Sequence, residues 1–413
     1  MFSTSPLDWG LVLAYFGFLA AVWLRVLKRR SSTLDYLVAG RRVTLPALVA
    51  TLVATWYGGI LGVGEYSYRY GLANWLVFGV PYYIGALLFA LLFAKRARAA
   101  ALFTVPDLLE RHYGRAPALA GAFAVVVISA PAAYVLMLGS LFAAMTGAAL
   151  LPCVLAAAVF SLFYIDRGGL RTVVFTDQVQ FALMYAGFIL IVVVLVARHG
   201  GLPFLHRSLP ATHFVWNGGN RPQDILVWYF IALSALVDPG FWQRAYAARD
   251  PAIAKRSVLW SIACWAVFDF LTTATGMYAR ALLPHLERPV FAFPEVARMT
   301  LGPGALGLFY LAMIATVMST IDSYGFIAAQ PPPPWGATSS GGCGAMARSA
   351  CPSTPGSASR SPRPSRRCWR WRGPASSTCG TTSARSPRPR CCSRSARRCC
   401  SADGSARARR WSP

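Results

Sequence analysis

Apolar residues in this chain do not fall on one face of short helices or alternate as in strands. They come in blocks about twenty residues long, with charged residues gathered between them. Nine such blocks precede residue 330, at 8–27, 44–63, 74–94, 119–146, 149–165, 178–197, 225–243, 258–282 and 303–328. Roughly 20 mostly apolar residues suffice for a helix to cross the hydrocarbon core, so the pattern predicts an all-α polytopic membrane protein of about nine spans. The first block has no small-residue cleavage site behind it and is followed by further spans, so it reads as an anchor, not a cleaved signal peptide. Two blocks carry breaks. Gly58-Gly59 interrupts the second, and adjacent glycines there predict a discontinuous helix with freed carbonyls. Pro131 predicts a kink in the fourth.

Composition agrees, with 56% hydrophobic and 13% charged residues. The net charge of +25 changes meaning once the chain is divided. Residues 331–413 hold 16 Arg, no Lys and the single acid Asp403, along with eight of the ten cysteines. That Arg/Ser/Pro/Cys-rich tail cannot bury a core, and the sequence predicts it to be disordered or read out of frame. The membrane domain is therefore assigned to residues 1–330. Basic residues there are asymmetric: 17 lie in alternate loops, from Arg25 to Arg256 and including Arg244, against seven on the other side. By the positive-inside tendency the N-terminus lies outside and the chain after the ninth span lies in the cytoplasm. No metal-ligand cluster, activated nucleophile or phosphate loop stands in residues 1–330, so the sequence does not read as an enzyme, and no nucleic-acid partner is expected.

Five segments carry a resemblance. They are Tyr164 to Gln180, with Gly168-Gly169 and Thr176-Asp177; Asp35 to Arg41; Val105 to Gly114; Trp242-Gln243-Arg244 through Ser257; and Met318-Ser319-Thr320-Ile321-Asp322-Ser323. In order and spacing they resemble the signatures of the sodium:solute symporter family, whose members move proline, pantothenate, sialic acid and sugars. The resemblance implies an inverted-repeat transporter fold: two five-helix repeats behind one extra helix, of which the final two core helices have no counterpart after residue 330. It also implies a bacterial inner-membrane location, a small organic solute as substrate and sodium as coupling ion, with no other cofactor.

Residue chemistry places the candidate site. Thr316, Ser319 and Thr320 share one face of the ninth span, and the break at Gly58-Gly59 frees carbonyls in the second. Hydroxyls alone do not identify an ion site, because Ser and Thr in membranes commonly bond their own helix. By resemblance, sodium is held by carbonyls of Ala54, Tyr57 and Thr316 and hydroxyls of Ser319 and Thr320. Asp177, read as opening the sixth span from the cytoplasmic side, and Arg41 line the ion's inner path by the same resemblance. Thr55, Trp56 and Gly58, beside the break, are the candidate substrate contacts. Asp269 inside the eighth span stays open between an ion site, a proton relay and a helix–helix hydrogen bond. Asp238, before Pro239-Gly240, reads as a helix-end residue. Sodium-coupled symport by alternating access is the leading reading; the alternatives are a non-transporting sensor and an inactive truncated product.

Overall fold

The computed structural model describes residues 5–27, 32–165 and 168–330. The tail from residue 331, Asp166 and Arg167 lie outside the described residues, as do the side chains of 162–165. Among the described residues there are helices and one isolated bridge, and no strand is formed. The chain runs α1 Pro6–Leu27, α2 Thr33–Val38, α3 Leu45–Trp56, α4 Ile60–Tyr70, α5 Val80–Leu92, α6 Ala94–Ala100, α7 Val105–Tyr113, α8 Arg115–Ile128 and α9 Ala132–Thr146. It continues through α10 Leu150–Ile165, α11 Gly169–His199, α12 Leu202–Ser208, α13 Pro222–Ala232, α14 Pro239–Ala247, α15 Pro251–Leu282, α16 Ala292–Thr300 and α17 Ala305–Ala328.

Every apolar block becomes helix. Among the described residues, seven spans are long and apolar enough to cross a membrane, and α3 with α4 makes an eighth, bent by 65° at its break. The block at 149–165 becomes α10, which at 16 residues is shorter than the other spans. The polarity is inverted relative to a water-soluble bundle: Phe123, Phe230, Val237, Leu151 and Trp260 project outward, while Thr316, Ser319, Thr320, Asp322 and Ser323 are buried. Apolar exteriors of this kind face hydrocarbon. The protein is therefore a multi-pass membrane protein.

α17 is the central post. It packs against α11, α3, α9, α1 and α10. α1 is pinned to its start by Asp8, whose carboxylate accepts from the backbone N–H groups of Gly304 (2.8 Å) and Gly307 (2.7 Å) at the helix's positive end. Three interruptions shape the bundle. The first separates α3 from α4 at Tyr57–Gly59, as Gly58-Gly59 predicts. The second separates α8 from α9 at Ser129–Pro131, where Pro131 predicts a kink. The third lies inside the seventh block, where the helix tightens to a 3-10 turn at Leu233–Leu236 and restarts as α14 at Pro239. Counting α1 as the extra helix, the first and third breaks fall in the leading span of each repeat, as an inverted-repeat transporter requires.

Candidate functional site

The break after Trp56 leaves the carbonyls at the end of α3 without the following turn that would bond them. Side chains from α17 take that role. The Ser319 hydroxyl donates to the Ala54 carbonyl (2.7 Å) and also lies 2.9 Å from the Thr316 carbonyl. The Thr320 hydroxyl donates to the Thr55 carbonyl (2.8 Å), with the Thr316 carbonyl at 3.3 Å. Ala54, Thr316, Ser319 and Thr320 thus form one fully buried oxygen-rich knot. The Thr316 hydroxyl turns away and bonds Ala312 in its own helix (2.7 Å), so only its carbonyl faces the knot. Tyr57 stands at the break, and its side chain reaches elsewhere, to the Trp265 carbonyl and Asp269.

Gly58 is fixed by this contact. A Cβ built on it would lie 2.5–2.7 Å from three atoms of the Thr320 side chain. Gly58→Ala is expected to push Thr320 off the Thr55 carbonyl and cost about 1–3 kcal/mol by overpacking, measured as lowered thermal stability of the purified protein.

Asp177 does not open its span. α11 begins at Gly169, eight residues earlier, because Gly169 adopts φ +60° and packs so tightly on Tyr36 that any Cβ would strike the Tyr36 backbone. Asp177 is therefore fully buried inside a continuous helix and not at a positive helix end. Nor is Arg41 its partner. Arg41 donates to the carbonyls of Ala101 (2.5 Å) and Leu102 (3.3 Å) and lies over the Phe103 ring. Partial burial, and then the neighbouring Arg98 guanidinium, lower the Arg41 pKa from its ordinary value.

The cation beside Asp177 is Arg244, which charge counting along the chain placed in a cytoplasmic loop. It sits in α14 at 2% exposure, 3.7 Å from the Asp177 carboxylate. One guanidinium nitrogen donates to Thr51 (3.3 Å), Thr55 (3.1 Å) and Ser323 (2.5 Å), and the other to Gln243 (3.2 Å). The Thr51 hydroxyl in turn donates to Asp177. Thr55, read as a substrate contact, belongs to this cluster through its hydroxyl, which bonds the Thr51 carbonyl (2.6 Å) and Ser323 (2.9 Å). Asp238 caps the restart of α14 by accepting from the Phe241 N–H (3.1 Å) and also accepts from Tyr324 (2.8 Å). It does stand at a helix end, but at the start of the second half of a broken span.

The Arg244 cluster lies one helical turn from the oxygen knot along both α3 and α17. Beside it, Gln180 donates to Tyr15 (2.8 Å) and Asp322 (3.4 Å). Oδ1 of Asp177, Oδ1 of Asp322 and Oε1 of Gln180 are buried acceptors with no hydrogen-bond partner among the described residues. Farther along the same end, Val43 and Ala248 form a parallel bridge, and Arg98 donates to the carbonyls of Ala248 (2.5 Å) and Arg249 (3.2 Å). Trp56 packs in an aromatic group with Tyr82, Phe241 and Trp265 at centroid distances of 5.2–5.4 Å, and lines a small cavity together with Thr55, Asp238 and Arg244.

Broken spans at matching places in two halves of the bundle, with carbonyls and hydroxyls meeting at the first break, define the inverted-repeat transporter fold. The sodium:solute symporter family model matches residues 36–330, and the chain belongs to that family. It is 24% identical over 326 residues to a putative sodium-dependent multivitamin transporter of Drosophila melanogaster, covering 71% of this chain and 53% of that protein. It is 27% identical over 338 residues to a sodium/pantothenate symporter of Haemophilus influenzae, covering 75% and 67%. A solved structure of a Na+-coupled sialic acid symporter, substrate-bound and outward-open, superposes with a TM-score of 0.67 at 16% identity, over 78% of this chain and 71% of that one. The chain spans about half the length of the first curated relatives that it matches along most of its sequence.

Proposed function

We propose that the protein works in sodium-coupled symport of a small organic solute, by alternating access, in a bacterial inner membrane with its N-terminus outside. The observation that carries this reading is the knot at the break, where Ser319 and Thr320 hold the carbonyls of Ala54 and Thr55. Sodium wants a small shell of oxygens, and unwound carbonyls with facing hydroxyls supply it within a membrane. On ion entry the two hydroxyl oxygens and the carbonyls of Ala54, Tyr57 and Thr316 turn to the cation, so binding ties α3 to α17. The solute is received beside the break, with Trp56 as one wall.

The Arg244–Asp177 cluster then lies on the ion's inner path. With Arg244 on Asp177 the path is shut; release requires the guanidinium to let go of Thr55, whose carbonyl belongs to the knot, and of Ser323, one turn from it. Asp177 serves as the acid of that path, and Arg244, not Arg41, serves as its plug. Sodium-gradient-driven uptake into vesicles carrying the full chain tests the reading, using pantothenate, lactate, choline and proline as probes. Uptake of at least one that requires inward-directed sodium and not potassium is expected. Sodium-independent uptake of all that enter would overturn it.

A further inference from the structure

The two broken spans are tied together a second time, at the end of the bundle that the positive-inside count assigns to the cytoplasm. Val43 stands just before α3 and Ala248 just after α14, and the two form a parallel bridge. The Val43 N–H donates to the Ala247 carbonyl (3.3 Å), and the Arg249 N–H donates to the Val43 carbonyl (3.1 Å). Val43, Ala247 and Ala248 are all buried. Two extended segments this short do not hold each other unaided. A side chain straps them: Arg98, in the last turn of α6, donates to the carbonyls of Ala248 (2.5 Å) and Arg249 (3.2 Å), and α6 itself packs on α14 and α15.

The backbone around this contact is strained. Among the described residues, the non-glycine residues in the left-handed region are Ala39 (φ 50°), Arg41 (φ 56°) and Ala101 (φ 54°). All three flank the bridge and its strap, since Ala39 and Arg41 lead into Val43 and Ala101 follows α6 directly. Arg41 and Ala101 also meet, the guanidinium of the one donating to the carbonyl of the other. A residue with a Cβ stays in that region only where its surroundings over-determine it, and such strain gathers at switch regions. A strained segment held by a few polar bonds relaxes when those bonds break.

α3 carries the Ala54 and Thr55 carbonyls of the knot and α14 carries Arg244, so an intact bridge keeps the two inner half-helices from parting. We propose that the bridge between Val43 and Ala248, strapped by Arg98, is an inner latch of the transport cycle. It stays shut while sodium ties α3 to α17, and its opening lets α3 leave α14 and release the ion inward. This rests on the symport reading above and names a device that regulates it. Arg98 bonds none of the knot residues and acts as a positioning residue, through the two carbonyls that it holds. Coupling of this kind is reciprocal: sodium favours the shut latch, so a weakened latch lowers sodium affinity.

The test is hydrogen–deuterium exchange of the purified full chain in nanodiscs, in sodium chloride and in potassium chloride of equal ionic strength. It is read on the peptides that contain Val43 and Arg249, with α1 as the control, beside a sodium titration of the melting temperature. Sodium is expected to slow exchange at Val43 and Arg249 in the wild type. Arg98→Gln is expected to speed it about tenfold with α1 unchanged, the loss of a charge-assisted hydrogen bond. The same variant is expected to bind sodium about fivefold more weakly. Arg98→Lys, a point charge that reaches one carbonyl and not both, is expected to fall between the two, and carries the test should Arg98→Gln misfold. Exchange at Val43 and Arg249 that ignores sodium in the wild type, or that is unchanged in both Arg98 variants, overturns the proposal. So does a lowered melting temperature with sodium affinity intact, which would make Arg98 a packing residue only. Where the melting temperature still rises with sodium, the symport reading survives that failure; a chain with no sodium response in either measurement loses both.

Discussion

Arg244→Met is expected to destabilise the protein by about 3–5 kcal/mol, because removing one partner of a buried ion pair strands the other. The stranded group is Asp177, which with Arg244 is essentially sealed from solvent at 0% and 2% exposure. The guanidinium also serves Thr51, Thr55 and Ser323, so its loss frees three hydroxyls that join α3 to α17. The double variant Asp177→Leu/Arg244→Met is expected to recover most of that loss, since a buried pair replaced by apolar side chains of similar volume is often neutral or stabilising. Equilibrium unfolding of both variants in detergent provides the measurement. Equal instability of the single and double variants would assign the cost to packing and remove the pair from its gating role. The recovered double variant is also expected to leak sodium, its plug being gone, in vesicles loaded with a sodium-sensitive dye.

The second large effect is on sodium itself. A hydrogen-bonding group that contacts a charge contributes about 1.5–3 kcal/mol, so each lost hydroxyl lowers sodium affinity roughly ten- to 150-fold. Ser319→Ala and Thr320→Ala are each expected to show that loss. Together they are expected to abolish the response to sodium at any practical concentration. Thr316→Ala should be close to silent, because the Thr316 hydroxyl bonds Ala312 and only its carbonyl faces the knot. A Thr316→Ala variant as damaged as Ser319→Ala would place the ion elsewhere on α17.

The spans and the first break were legible because both depend on local composition. Twenty apolar residues must form helix in a membrane, and Gly58-Gly59 cannot hold that helix unbroken. That Thr316, Ser319 and Thr320 share one face of a helix was legible for a similar reason, since spacing fixes it, but not that the Thr316 hydroxyl turns back to Ala312 while Ser319 and Thr320 reach α3. What the sequence hid was pairing across helices. Arg244 resembled a loop arginine because the seventh span breaks at Leu233–Leu236 and restarts, carrying Arg244 into the bundle. Its signal was the Asp238-Pro239-Gly240 stop, which announces a new helix start as readily as an end. Asp177 seemed to sit at a helix start because Gly168-Gly169 stands before it and the long apolar block follows it, yet Gly169 packing on Tyr36 moves the start back by two turns. Arg41 and Asp177, read as lining one path, make separate contacts: Arg41 bonds the carbonyls of Ala101 and Leu102, while Asp177 lies beside Arg244. Asp269 was visible as a buried acid, but its tyrosine partners come from two other spans, one of them re-aimed by a π turn that no residue pattern announced.

A sodium ion held between α3 and α17 stabilises the folded chain. The most direct measurement is the melting temperature of the purified chain titrated with sodium chloride, with potassium chloride matching the ionic strength throughout. A ligand that binds only the folded state stabilises it by RT ln(1 + [L]/Kd), so a saturable rise with sodium is expected, and the Ser319→Ala/Thr320→Ala variant should lack it. A melting temperature that responds alike to sodium and potassium, or a sodium response that survives in the double variant, would contradict the claim.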